Sequence, residues 1–129
     1  MRGVNLLMAS ILGVLLYSCS SRPEYGISLD TQHLDIGTVN LDSAVRNFNV
    51  GFTNTGKKDL IITEVKTDCD CTTATFSPEP VSSGDKGEIS ITLNLSTFFP
   101  QEIKKTVAVY SNATKDPVMI DIKGNVKRK

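Results

Sequence analysis

The 129-residue sequence predicts an all-β sandwich of about seven antiparallel strands, and two kinds of observation carry that expectation. The first is apolar alternation with period two. Ile27 and Leu29 flank Ser28, and Phe48, Val50 and Phe52 alternate with Asn47, Asn49 and Gly51. The clearest run sets Ile89, Ile91, Leu93 and Leu95 against Ser90, Thr92 and Asn94; Val107 and Val109, then Val118, Ile120 and Ile122, repeat it. Such spacing turns one face to a core and the other to water, as an antiparallel sheet requires. The same windows are rich in Val, Ile, Thr and Phe and carry no i, i+3, i+4 stripe, so a helical reading fails. The second observation is punctuation. Polar turns at 54–58, 82–87 and 111–117, each holding Gly or Pro, separate the apolar runs at sandwich-like intervals.

Size and charge narrow the function classes. Nothing in the pattern suggests a second domain or an internal repeat, and a chain of this length buries a self-sufficient core. Basic and acidic residues number 14 each, and the first 18 residues hold only Arg2 among them. The remainder is slightly acidic, which argues against a nucleic-acid partner, since phosphate contacts need a basic stripe. Lys127-Arg128-Lys129 is the one basic cluster and reads as a solvated tail.

The N-terminus carries an address. Arg2 precedes an apolar run of 11 residues, Leu6 to Leu16. A bilayer span needs about 20, so residues 1–18 read as a signal-peptide helix. The run ends in Leu16-Tyr17-Ser18-Cys19, which resembles a bacterial lipobox, with Tyr17 where a small residue is usual. The resemblance implies diacylation of Cys19 and its exposure as the new N-terminus, a firm membrane anchor. Residues 19–26 then form the lipidated cysteine and a polar tether stiffened by Pro23, and residues 27–129 form the domain. The expected location is the cell envelope, anchored to the inner or outer membrane; Ser20-Ser21-Arg22-Pro23 holds no acidic surface-export tag, which favours the periplasmic side.

Several segments occur together in a recognisable order: Phe52-Thr53-Asn54-Thr55-Gly56, Asp68-Cys69-Asp70-Cys71-Thr72-Thr73, Ser83-Gly84, Val109-Tyr110-Ser111-Asn112 and Ile122-Lys123-Gly124. Over roughly residues 34–126 the chain resembles the bacterial "domain of unknown function 1573" family, common among exported proteins of Bacteroides-like organisms. Asp70 stands where the family usually has Gly, and Thr97-Phe98-Phe99-Pro100-Gln101 replaces a Gly-containing turn. The resemblance implies an immunoglobulin-like sandwich and brings no activity with it; a fold alone would not supply one.

Cys69 and Cys71 are the candidates for chemistry. On an extended strand, residues i and i+2 lie about 6.5–7 Å apart, whereas a disulfide wants Cα atoms about 4.4–6.8 Å apart, so a bridge requires a kink. Four readings stay open: buried small residues at a strand end or turn; a Cys69–Cys71 disulfide, of the strained and easily reduced kind; a soft-metal site holding Cu(I) on two thiolates; and a catalytic thiol. Asp68 and Asp70 oppose the last, because neighbouring carboxylates disfavour a thiolate. A structural zinc site lacks ligands, His33 being the single histidine.

The remaining candidates are weaker. His33 reads as an exposed loop residue. Asp42-Ser43-Ala44 resembles an O-glycosylation tripeptide of Bacteroides-like exported proteins, which makes Ser43 a candidate acceptor. Phe98 and Phe99 either cap one end of the core or form a patch for a partner. No hydrolase triad, phosphate loop or paired-carboxylate signature is present. The expected function is therefore a membrane-tethered, non-enzymatic interaction or structural module with an envelope protein as partner and no cofactor. A periplasmic redox or copper-handling protein using Cys69 and Cys71 is the alternative.

Overall fold

The computed structural model describes residues 20–42 and 45–128. They form eight strands: β1 (Ile27–Leu29), β2 (His33–Asn40), β3 (Val45–Asn54), β4 (Ile62–Thr67), β5 (Thr72–Phe76), β6 (Lys86–Asn94), β7 (Gln101–Ser111) and β8 (Val118–Lys127). Two four-stranded sheets result, with strand orders β1-β3-β6-β5 and β2-β8-β7-β4. The all-β sandwich expected from the alternation is thus present. The signal-peptide segment and Cys19 lie outside the described residues.

The count is eight because the N-terminal extended segment is divided between the sheets. β1 pairs antiparallel with β3, and β2 then pairs parallel with β8. Main-chain bonds fix the crossing: the Asp30 N–H donates to the Gly51 carbonyl at 2.9 Å and the Asp121 N–H to that of Gln32 at 2.8 Å. This is the one parallel pairing among the named strands; it joins segments far apart in sequence, so no tight turn constrains its direction.

The inward residues of the alternating runs make the core. Ile89, Ile91, Leu93, Val107, Val109, Ile120 and Ile122 are fully buried, and Val50, Phe52 and Leu60 nearly so. Each contributes roughly 1.5–3 kcal/mol of transfer free energy relative to an exposed side chain. A second cluster of Val39, Leu93, Leu95, Ile103 and Val126 fills the opposite end, with Leu41, Phe48 and Phe98 packed against it.

Most of the family-like motif residues serve the loops. Asn54, 1% exposed, donates from Nδ2 to the Lys58 and Val81 carbonyls, both at 2.8 Å, and accepts from the Gly56 N–H at 2.8 Å. Ser83 Oγ donates to the Gly56 carbonyl at 2.6 Å, and the Gly84 N–H to that of Asn54 at 2.9 Å. Gly84 has φ +82°, a left-handed conformation that costs a glycine little. Asn112 clamps the segment before β4, accepting from the Ile61 N–H at 2.9 Å and donating to the Asp59 carbonyl at 3.0 Å.

Part of the expected tether is docked on the domain. The Lys57 N–H donates to the Pro23 and Glu24 carbonyls at 3.0 Å, and the Lys58 N–H to that of Glu24 at 2.9 Å. A Cβ at Gly56 would lie 2.6 Å from the Gly26 nitrogen and 2.7 Å from the Tyr25 Cα, so only glycine lets the strap lie this close. Lys58 Nζ meets Glu24 Oε1 at 2.5 Å. The hydrogen bond and charge of Lys58 hold the Glu24 carboxyl below its usual range, and Glu24 in turn holds the Lys58 ammonium above its own.

Candidate functional site

β4 is one outer strand of its sheet and β5 one outer strand of the other. Residues 68–71 carry the chain between them, and there Cys69 and Cys71 are joined in a disulfide with their Cα atoms 5.2 Å apart. The turn supplies the kink that an extended strand lacks and brings this separation into the ordinary range. The pair is half-buried, not sequestered in the core, so the buried-residue reading does not hold. With both sulfurs in the bridge neither is a thiolate, the form a soft metal requires. Among the described residues no three potential ligands gather into a metal site.

Local hydrogen bonds hold this turn apart from the S–S bond itself. Asp68 Oδ2 accepts from the Thr106 N–H on β7 at 3.0 Å. Thr67 Oγ1 and the Thr72 N–H donate to the Cys69 carbonyl at 3.3 and 3.2 Å. The Asn94 N–H donates to the Cys71 carbonyl at 2.7 Å, tying the turn to the end of β6. Asp68 is therefore engaged with a backbone amide of β7.

The sulfurs have polar neighbours of their own. The Cys71 N–H donates to Cys69 Sγ at 3.2 Å. The Thr72 hydroxyl lies 3.7 Å from Cys69 Sγ and 3.6 Å from Cys71 Sγ, on a residue only 2% exposed. Thr72 is the residue of this turn that sequence reasoning left without a role. The Cys-x-Cys-Thr spacing was its only signal, since a hydroxyl one residue beyond the second cysteine reaches both sulfurs once the turn closes.

The other predicted residues do not converge on this bridge. His33 begins β2 and so belongs to a strand, although it is exposed as expected; its Nδ1 lies 3.5 Å from Oδ2 of its register partner Asp121. Phe98 and Phe99 divide the two roles weighed for them. Phe98 packs against the second core cluster, with Lys105 Nζ 5.6 Å from its ring centre, while Phe99 is 74% exposed. Cys19 and Ser43 lie outside the described residues.

A surface strip runs beside the bridge. On the outward face of the β2-β8-β7-β4 sheet, Lys66 pairs with Ala108 and Ala108 with Met119, while Glu64 pairs with Tyr110. Lys66 Nζ sits 5.1 Å from the Tyr110 ring centre, and Met119 is exposed. Among the described residues, β4 has a hydrogen-bonded neighbour strand only on its β7 side, so its other edge presents main-chain groups.

Two face-to-face sheets with an N-terminal segment shared between them define an immunoglobulin-like β-sandwich. Within that class, the chain belongs to the family described as "Protein of unknown function (DUF1573)", whose model matches residues 27–126. Among solved structures it is similar to a protein of unknown function from Porphyromonas gingivalis W83, with a TM-score of 0.67 and 16% identity over 86% of this chain. This chain spans about half of that one, 51% of its length. It is also similar to the ASH/PapD-like domain 7 of human CEP192, with a TM-score of 0.64 and 10% identity, covering 92% of this chain and 96% of that domain. A third likeness is to the Vibrio cholerae VesB protease, with a TM-score of 0.59 and 7% identity, covering 81% of this chain and 32% of the protease. At these identities the likenesses show the fold alone. No curated protein matches the chain significantly.

Proposed function

We propose that this chain is a membrane-tethered, non-enzymatic interaction module of the bacterial cell envelope, anchored through Cys19 and probed by an extended segment of an envelope protein. The observation that carries the reading is the edge of β4 that no described strand pairs with, beside the Tyr110–Ala108–Met119 strip. Immunoglobulin-like sheets accept an extended chain through main-chain hydrogen bonds, and neighbouring side chains supply selectivity. The disposition of the motif residues supports this. Asn54, Gly56, Ser83 and Asn112 are engaged in hydrogen bonds that clamp loops.

Photo-crosslinking in intact cells tests it, with the reactive group placed at Glu64 or Lys66 and, for contrast, at Ser90 on the outward face of the other sheet. The expected result is a discrete adduct from positions 64 and 66 and none from 90, mapped to one extended segment of a single envelope protein. Replacing Cys19 with Ser should release the chain from the membrane fraction and abolish the adduct. Equal labelling from both faces would sink the reading.

A further inference from the structure

We infer that the Cys69–Cys71 bridge is a thiol–disulfide exchange site that accepts two electrons from a dithiol while the sandwich stays folded. This activity is independent of the docking role proposed above. Three features of the turn lead to it.

First, the bridge restrains very little. A disulfide stabilises mainly by closing a loop in the unfolded chain, and residues two apart enclose almost the shortest loop there is. Second, the turn is held without it. Thr67, Asp68, Thr72, Asn94 and Thr106 fix the backbone on both sides through bonds that do not involve sulfur. Opening the bridge leaves two thiols on a fixed turn, a short distance apart and ready to close again. Third, donors already point at the sulfur that would carry charge. The Cys71 N–H donates to Cys69 Sγ, and the Thr72 hydroxyl is within reach of either sulfur; hydrogen bonds to a thiolate favour the charged form.

The Cys71 N–H, hydrogen-bonded to Cys69 Sγ, sets the direction of exchange. An incoming thiolate attacks Cys71 Sγ; the S–S bond breaks and its electron pair leaves on Cys69 Sγ, where the two donors receive it. Cys71 is now joined to the attacking molecule in a mixed disulfide. That molecule's second thiolate attacks its own sulfur in the mixed disulfide, forms its internal disulfide and releases the Cys71 thiolate. The dithiol has lost two electrons and two protons; the bridge has gained both electrons and one proton, which makes Cys71 a thiol, while Cys69 stays a thiolate held by its donors and the second proton passes to solvent. The half-buried position at the junction of two outer strands gives the attacking sulfur access from the side.

The test equilibrates the full-length protein in buffers of reduced and oxidised dithiothreitol without denaturant. Alkylation and mass spectrometry read the fraction of open bridge, and circular dichroism reads the sheet. The expected result is reversible opening and closing with an unchanged sheet signal. Thr72→Val, which keeps the buried shape and removes the hydroxyl, should shift the equilibrium about tenfold toward the disulfide, the scale of a hydrogen bond to a charged group. Thr72→Ser should restore it. A bridge that opens only when the sheet unfolds would overturn the inference, and so would a Thr72→Val equilibrium within about twofold of the parent.

Discussion

Phe52 and Gly87 face each other across the β3–β6 pairing, and the Phe52 ring occupies the space where a side chain at 87 would begin. A Cβ there would stand 2.3 Å from Phe52 Cζ and 2.8 Å from both Cε atoms. The ring is itself nearly fully buried, so it has little room to give way. Gly87→Ala should therefore destabilise by about 1–3 kcal/mol through overpacking. Urea denaturation checks this, and a double-mutant cycle isolates the cause. Phe52→Leu combined with Gly87→Ala should cost less than the two single changes added together, because the clash is their shared term. Simple additivity would place the effect of Gly87→Ala elsewhere.

Asn54 makes a sharper case, since its amide bridges two loops that are distant in sequence. Asn54→Ala leaves the carbonyls of Lys58 and Val81 and the Gly56 N–H without their partner in a buried site. At about 1–3 kcal/mol for each unsatisfied buried group, partly relieved by water, the loss should be about 3 kcal/mol. Asn54→Asp should be no better. It keeps the acceptor for Gly56 but turns an oxygen toward two carbonyl oxygens. Thermal unfolding of the two variants tests the ranking.

These two residues also mark how far the sequence could be read. The strands that alternate cleanly, β3, β6, β7 and β8, were legible because their inward residues are large and evenly spaced. β2 was not, because its register shifts between Asp35 and Thr38, so its core contacts pass from Leu34 and Ile36 to Val39. β4 likewise shifts between Ile62 and Glu64, separating inward Ile62 from Val65 by three positions. The motif residues were visible as a set, but their roles required partners such as Val81, 27 positions from Asn54. For the cysteines, strand geometry alone left the bridge unresolved; the turn at 68–71 decided it by a bend that period-two reasoning does not contain.

The Phe98-Phe99 pair separates core from surface within two residues. Phe98→Ala removes a partly buried ring from the second cluster and should cost about 1–2 kcal/mol. Phe99→Ala should fall within about 0.5 kcal/mol of the parent, as exposed substitutions usually do. Denaturant midpoints of the two variants decide it; equal losses would show that Phe99 is packed in solution.

The Glu24–Lys58 contact bears on how firmly the strap is held, and its dependence on pH has a definite sign. Glu24 is depressed relative to its ordinary 4.5, so its contribution is present above that value and fades as pH falls through the lower folded one. Lys58 is raised relative to 10.5, so its contribution is present below that value and fades as pH climbs through the higher folded one. Between those limits the contact should not vary with pH. Both groups are solvent-exposed, so salt screens them and their share of global stability is small. Hydrogen exchange at the Lys57 and Lys58 amides reports the strap directly, since both donate to its carbonyls. Referenced to the intrinsic rates, their protection should stay level from about pH 5 to pH 9 and decline on further acidification. Glu24→Gln should lower the protection on the plateau and remove the acid decline. If protection in the parent and in Glu24→Gln tracks together down to low pH, the backbone bonds hold the strap unaided and the ion pair is incidental.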